Sequence, residues 1–325
     1  MRRHQVRGDL VRERVGEYSL PLGLEPLDLP EPAQGYVLDY VPGEEDPTTG
    51  EPTPDTYSFQ VTVSHERLLP ILADAIRLLG DEVIPVLEVG SRDAFRALDV
   101  FMASEPIPAQ AFCEGFDEYR AVLLEDANVG IGANSEEPYV EVFLDCWKGL
   151  LISVPIAMRR TVERALARHG LREVVETWPL ELDRRSTNPT KVREVLLVDD
   201  DRAPDFEEVL MQLRERFAME LSVDPSTNLD DAGRTLGRTL WHVIAMAEHS
   251  RKPDHGAYVN MWLTATCLEE VEELAQQAVE AVVDLRYAGL YTSDRVAFDE
   301  RPEALNDLPP RHESSDVLAV DVDYW

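Results

Sequence analysis

The sequence is poor in lysine and in cysteine. All but three of its 31 basic residues are arginine, and 63 acidic residues bring the net charge to −32. The three cysteines, Cys113, Cys146 and Cys267, are far apart and form no CxxC or zinc-type spacing. This pattern argues against a disulfide framework and a cysteine-rich metal site. The charge argues against direct binding to nucleic acid, whose phosphates the protein would repel.

The excess of acidic residues has two interpretations that the sequence leaves open. In the first interpretation, the bias toward acidic residues and arginine is shared by the whole proteome of the organism, and the charge serves to keep the protein solvated. The same charge is compatible with a specific partner, above all a basic protein. The first interpretation carries more weight because the bias extends over the whole composition.

Long apolar runs are also missing. The start, MRRHQVRGDLVRERV, is basic, but the apolar segment of a secretory signal does not follow it. No stretch approaches the ~18 uninterrupted apolar residues that a membrane helix needs. The sequence therefore predicts a soluble cytoplasmic protein that does not bind membranes.

Proline and acidic residues dominate the first part of the chain. Residues 15–66 contain 11 acidic residues and no lysine or arginine, and prolines recur throughout 16–55. Because proline fixes φ and removes a backbone donor, neither a helix nor a central strand is expected there. We predict an extended N-terminal arm over 1–55 and, on similar grounds, a short polar C-terminal tail over 298–325.

Residues 56–182 are predicted to form an α+β domain. TYSFQVTVS at 56–64 alternates apolar and polar residues, which is typical of a strand with one buried face. Helical spacing predicts helices over 66–80, 92–103, 108–125 and 157–169. Shorter apolar runs predict strands over 82–89, 128–133, 138–146, 149–155 and 174–182. The polar stretch DRRSTNPTK, 183–191, is predicted to be a linker.

Residues 192–297 show a second pattern of elements. Strands are predicted at 194–199, 238–248, 257–265 and 284–292, and helices at 204–218 and 267–282. The order βαββαβ is that of a ferredoxin-like fold, with two helices on one face of an antiparallel sheet. The overall prediction is an α+β protein with two tandem α/β sandwich domains, the second ferredoxin-like.

A run of aspartates follows the first strand of this second pattern. VLLVDDD, 195–201, resembles the first strand of response-regulator receiver domains, where paired acids help to hold Mg²⁺. The resemblance covers about ten residues. The strand WHVIAMAEHS lacks the aspartate that a receiver phosphorylates, so receiver chemistry is not expected. The acids also suit the positive end of the following helix. If a divalent cation binds here, we expect Asp199 and Asp200 to be its ligands.

Three histidines, His242, His249 and His255, occur close together in the sequence. Their spacing matches no helical metal-binding pair. His249 and His255 flank a loop between two predicted strands, so a hairpin would bring them together as a zinc half-site. The alternative is one packed histidine and two loop histidines.

Aromatic residues alternate along the strand at 257–265. Tyr258, Asn260 and Trp262 point to one side, away from the predicted helices, where they would form a binding face or pack on the first domain. The tail ends in an alternating segment that contains Tyr324 and Trp325. Such a segment can add as a strand to the edge of a sheet, its own or a partner's.

No nucleophile elbow, P-loop or dinucleotide fingerprint follows a predicted strand. The sequence therefore favours a non-catalytic binding or regulatory protein with a protein partner and no resident cofactor. The alternative is a divalent-metal-dependent hydrolase or phosphotransferase that uses Asp199 and Asp200 or His249 and His255. The sequence leaves enzymatic activity open and favours its absence.

Overall fold

A computed structural model describes residues 4–26, 30–43, 53–177, 190–197, 204–252, 255–309 and 312–325. It is a mixed α/β structure with 24% helix, 38% strand and several antiparallel sheets, which confirms the predicted mixture of elements. Within these ranges, no helix has the length and apolar character required to cross a bilayer. Two compact units divide the chain. Unit 1 comprises 1–89 and 100–221, and unit 2 comprises 90–99 and 222–325.

Strands and helices alternate irregularly along the chain. The described strands are β1 Arg14–Val15, β2 Tyr18–Ser19, β3 Leu24–Pro26, β4 Gly35–Val41, β5 Thr56–Thr62, β6 Glu82–Gly90, β7 Leu98–Ala103, β8 Ile107–Pro108, β9 Val129–Glu136, β10 Tyr139–Leu144, β11 Leu150–Pro155, β12 Thr190–Val192, β13 Met219–Leu221, β14 Thr239–His249, β15 Gly256–Ala265, β16 Leu285–Val296 and β17 Val317–Tyr324. The described α-helices are α1 His65–Ile76, α2 Ala109–Glu125, α3 Arg159–Arg168, α4 Phe206–Phe217 and α5 Leu268–Glu280.

The main sheet of unit 1 has the strand order β13-β7-β6-β9-β10-β11-β5-β4, with β8 on β6. Near one edge of this sheet, Phe59 of β5 lies opposite Ile152 of β11 and Leu38 of β4. Phe59 and Val61 are buried while Gln60 between them is partly exposed, which follows from the period-two pattern. β10 and β11 form the predicted hairpin.

Four helices place apolar stripes in the core of unit 1. Residues three or four apart share a face of a helix, so each stripe is buried together. Phe112 of α2 and Phe217 of α4 meet with ring centroids 5.6 Å apart. The buried helical residues of this core include Leu68, Ile71 and Leu72 of α1, Phe116, Tyr119 and Leu123 of α2, Val162 and Leu166 of α3, and Val209 and Leu213 of α4.

Part of the segment expected to be an extended arm is built into unit 1. β4 is an edge strand that pairs along its full length with β5. Leu20 and Leu24 are buried, and Arg12 forms a 2.7 Å ion pair with Glu125 at the end of α2. Strand pairing, apolar anchors and ion pairs therefore hold this proline-rich segment in unit 1.

The helix predicted over 92–103 is wrong. Residues 98–103 form β7, whose end pairs with β13 through Phe101 and Leu221. Phe101 and Ala103 are buried while Met102 between them is partly exposed, as a strand requires. Short apolar runs fit both periods, and one of the two strands that flank β7 in the sheet, β13, lies more than a hundred residues away.

Unit 2 differs from the predicted ferredoxin-like domain. Its sheet has the antiparallel order β16-β14-β15-β17 and one helix, α5, on one face. The expected first helix, α4, belongs to unit 1 because its apolar stripe is buried in that core. In the described part of the expected first strand, 194–197, Leu196 forms an isolated bridge to Val6, and the tail supplies the fourth strand of the sheet through β17.

Strand β17 is expected to contribute to the stability of unit 2. Deleting residues 317–325 is expected to lower the melting temperature by several degrees, because β15 loses an edge partner and Val322 leaves the core. Differential scanning calorimetry measures this. The control is Asp321→Asn with Asp323→Asn, which removes charge but keeps the strand. An unchanged melting temperature after deletion would mean that β17 adds nothing to the stability of unit 2.

Candidate functional site

The predicted cation ligands Asp199 and Asp200 lie outside the described residues. Three later acids, Asp205, Glu207 and Glu208, lie at the start of α4. Asp205 caps this helix, and its side chain accepts a hydrogen bond of 2.8 Å from the backbone N–H of Glu208. Glu207 and Glu208 occupy the first turn, where negative charge is favourable. The described part of this acidic run thus has a structural function.

His249 and His255 meet at the turn between β14 and β15. The backbone N–H of His249 donates to the carbonyl of His255 at 3.0 Å. The Nδ1 atom of His249 accepts a hydrogen bond of 3.2 Å from the N–H of Arg251, so this ring takes part in the turn. In the described residues, no three His, Cys, Asp or Glu side chains are arranged to hold a metal ion. Zinc binding at this hairpin stays a prediction.

The sheet of unit 2 presents two chemically different faces. Along β14 and β15, odd-numbered residues such as Val243 and Met261 are buried against Val271, Ala275 and Val279 of α5. The intervening residues point to the other side, because successive side chains alternate across a strand. We call this second side the aromatic face and define it by His242, Tyr258, Asn260, Trp262, Tyr291, Asp321, Asp323 and Trp325.

The rings of the aromatic face form contacts between different strands of the sheet, and one of these contacts crosses over β14. His242 lies opposite Trp262, with ring centroids 4.5 Å apart and planes inclined by 31°. The centroid of Tyr258 is 5.3 Å from that of Tyr291 and 6.4 Å from that of Trp325. These distances are typical of favourable aromatic pairs. The rings therefore form ordered pairs and not isolated surface side chains.

Hydrogen bonding fixes the orientation of His242. Its Nε2 atom lies 2.8 Å from Oδ1 of Asn260, and because an amide oxygen only accepts, Nε2 carries the proton. Asn260 itself is exposed. The structure thus brings the predicted residues Asn260 and Trp262 into contact with His242, which the sequence placed on the preceding strand.

Carboxylates border the rings on the β17 side. Asp323 lies opposite Tyr258 and Asp321 lies opposite Asn260, and both aspartates are exposed. On the other side, Asp294 lies opposite His242. Burial raises the pKa of Asp294 to about 6, assisted by the charges of Asp99 and Asp93. The aromatic face therefore combines π-systems with negative charge.

The last two predicted residues point in different directions. Trp325 lies on the aromatic face and is 56% exposed, whereas Tyr324 lies opposite Ala257 on the side of α5. Trp325 is held by two backbone hydrogen bonds with Gly256, of 3.1 and 3.2 Å. A Cβ atom at position 256 would collide with the Trp325 ring. A glycine is thus required where the ring crosses the strand.

Two buried groups of ionisable residues have no counterpart in the sequence interpretation. In unit 2, Asp93 and Arg295 form an ion pair of 2.7 Å with side chains 0% and 4% exposed. In unit 1, Lys148 is buried at the turn between β10 and β11, and Asp145 is partly buried there with its Oδ2 atom inaccessible to solvent. The sequence offered a weak signal for the second group only, since Asp145 directly precedes the predicted hairpin turn and Lys148 lies within it.

No family model matches the chain, and the comparisons with curated proteins and with solved structures give no match either.

Proposed function

We propose that the protein is a non-catalytic binding protein that holds a basic segment of a partner protein on the aromatic face. The observation that supports this most directly is the set of ring pairs around Tyr258 and Trp262, bordered by the exposed carboxylates of Asp321 and Asp323. Aromatic rings and carboxylates together form a surface that suits cations.

Arginine and lysine side chains bind to such a surface in two ways. A guanidinium or ammonium group over the face of Trp or Tyr gains about 0.5–2 kcal/mol, more as water is excluded. A guanidinium can also donate paired hydrogen bonds to a carboxylate. Trp325 and Asp323 offer both kinds of contact within one strand end.

The overall charge of −32 supports a basic partner. Long-range attraction raises the association rate of an oppositely charged partner and slows that of an anionic one. Aromatic sheet faces that bind single-stranded RNA combine rings with basic side chains that neutralise phosphate. Here Asp321 and Asp323 lie beside the rings, so a basic peptide fits the face better than RNA does.

The test uses a fluorescein-labelled arginine–glycine repeat peptide as the probe and fluorescence anisotropy as the measurement. Trp325→Ala is expected to weaken binding about tenfold, because a desolvated cation–π contact is lost. Tyr324→Ala is the matched control, since it removes a neighbouring exposed ring from the opposite side of the same strand. The control is expected to bind as the unmodified protein does.

A second pair of variants separates the site from the general charge. Asp321→Asn with Asp323→Asn is compared with Glu269→Gln with Glu273→Gln, which removes the same charge from exposed positions on α5. The aspartate pair is expected to weaken binding more and to reduce its salt dependence. Equal weakening by both pairs would show that net charge alone attracts the peptide and would contradict a binding site on the aromatic face.

A further inference from the structure

Unit 1 contains a groove of about 820 Å³ between the end of α1 and the exposed side of α3. Three of its seven lining residues are arginines, although the protein as a whole is strongly acidic. We call it the arginine groove and define it by Asp74, Arg77, Leu78, Thr161, Arg164, Ala165 and Arg168.

The helical period explains why the arginines converge. Arg164 and Arg168 are four residues apart and so share one side of α3, while Val162 and Leu166 turn the opposite side into the core. Arg77 directly follows α1 and reaches the same groove. The side chains of Arg77 and Arg168 are 74% and 70% exposed, so their guanidinium groups are accessible.

The groove contains more positive than negative charge. Asp74 is the only carboxylate in its described lining and is contacted by Arg77, by Arg168 at 3.3 Å and by His169 at 2.9 Å. The hydrogen bond from His169, followed by the charge of Arg168, keeps the pKa of Asp74 below its usual range. Asp74 thus orients two guanidinium groups but balances one charge only.

Arg164 supplies the uncompensated charge. Its described hydrogen bonds are to the carbonyl of Arg160 at 3.1 Å and to the hydroxyl of Thr161 at 3.5 Å, both of them neutral acceptors. Guanidinium groups bind phosphate oxygens with paired, charge-assisted hydrogen bonds. The Thr161 hydroxyl adds a further donor at the same place.

We propose that the arginine groove binds a small phosphorylated molecule. Its volume lies within the range of small-molecule sites, roughly 300–1,000 Å³. The acidic charge of the protein favours a small ligand over an extended one. A nucleic acid or an anionic membrane would extend over neighbouring acidic surface and be repelled. A compact ligand inside the groove interacts with the local arginines, because charges beyond about 8–10 Å are screened by salt.

Inorganic pyrophosphate is the probe for this proposal, and isothermal titration calorimetry is the measurement. The unmodified protein is expected to bind it in the sub-millimolar range at physiological salt. Arg164→Gln and Arg168→Gln are each expected to weaken binding by about tenfold or more, the usual effect of losing a charge-assisted hydrogen bond. Arg120→Gln is the matched control, since Arg120 is a half-exposed arginine of α2 outside the groove.

Circular dichroism of each variant checks that it is folded, which we expect because the substituted side chains are solvent-exposed. Absence of pyrophosphate binding at millimolar concentration would overturn the proposal, as would equal weakening by Arg164→Gln and Arg120→Gln. Duplex DNA and phosphatidylserine vesicles are tested in parallel. If either binds at physiological salt and Arg164→Gln abolishes that binding, the groove serves a polyanionic surface and the assignment to a small ligand is wrong.

Discussion

Replacing Asp93 by alanine is expected to destabilise unit 2 by about 3–5 kcal/mol, because it leaves the buried charge of Arg295 without its partner. Oδ2 of Asp93 accepts hydrogen bonds from the backbone N–H and from Nε of Arg295, at 2.8 and 2.7 Å. Oδ1 accepts a third, of 2.8 Å, from the N–H of Phe95. One side chain thus connects residues 202 positions apart in the sequence.

The surroundings of Arg295 explain why Asp93→Ala is expected to cause a large loss of stability. Its Nη1 atom donates to Asn228 at 2.8 Å and to the carbonyl of Leu229 at 2.6 Å. Its guanidinium also lies 5.6 Å from the ring of Phe95 and 5.8 Å from that of Trp241. The Arg295 side chain is 4% exposed, so bulk solvent does not screen its charge.

Urea denaturation followed by circular dichroism measures the effect of Asp93→Ala. The variant Arg286→Ala is the control, because it breaks an exposed ion pair with Glu248 and is expected to change little. The double variant Asp93→Ala with Arg295→Met completes a mutant cycle. The double variant is expected to lose less free energy of unfolding than the two single variants lose together, because neither charge remains buried alone. Strict additivity would show that the two charges do not interact.

Asp145 is expected to make the stability of unit 1 fall as the pH rises from about 4 to 7. Burial raises the pKa of Asp145 to about 7, and its Oδ2 atom has no hydrogen-bond partner among the described residues. The folded protein then binds a proton that the unfolded chain has already released. Linkage requires the folded state to lose stability over this interval and to level off above pH 7.

Lys148 changes the stability of unit 1 in the opposite direction. It is buried three residues after Asp145 and donates from Nζ to the carbonyl of Val129 at 2.6 Å. Burial lowers its pKa, so the folded state releases this proton before the unfolded chain does. The contribution of Lys148 to stability therefore rises as the pH approaches the unfolded value of 10.5. That rise is opposite in sign to the effect of Asp145.

Asp145→Asn isolates the carboxyl group. The amide oxygen can still accept the 2.7 Å hydrogen bond from the N–H of Gly149, but the side chain no longer ionises. Relative to the unmodified protein, the variant is expected to be similar in stability at pH 4 and more stable by on the order of a few kcal/mol at pH 8. Urea denaturation at several pH values measures the difference.

The variant Asp117→Asn is the control for this pH series, since Asp117 is exposed on α2. The free energy of unfolding of Asp117→Asn is expected to stay close to that of the unmodified protein at every pH. If the difference between Asp145→Asn and the unmodified protein were also the same at pH 4 and pH 8, Asp145 would be ionised in the folded state throughout. The raised pKa would then be wrong.

Much of the local structure could be predicted from the sequence. The helix expected over 108–125 is α2 at Ala109–Glu125, and the expected hairpin around 146–149 joins β10 to β11. The strand expected over 257–265 is β15. In each case a long stretch has one dominant hydrophobic period, and that period reports the element directly. The segment over 92–103 lacks such a period, and its prediction as a helix was wrong.

The candidate site was predictable in part. Alternation along β15 placed Tyr258, Asn260 and Trp262 on one side of a strand, and β15 has that alternation. The contact of Trp262 with His242 and that of Tyr258 with Tyr291 depend on the registers of β14 and β16. The register of β15 on β14 follows from the turn that joins them, whereas β16 pairs with β14 across the intervening β15 and α5 and contains two bulges that no periodicity reports.

The sequence by itself determined the type of most elements, the acidic charge and the alternation of side chains on each strand, because these depend on residues a few positions apart. Only the tertiary structure decided that α4 joins unit 1 and that β17 completes the sheet of unit 2. It also decided that Asp93 is buried against Arg295. Each of these contacts joins distant segments of the chain, and which distant apolar and charged surfaces meet depends on the packing of the whole core.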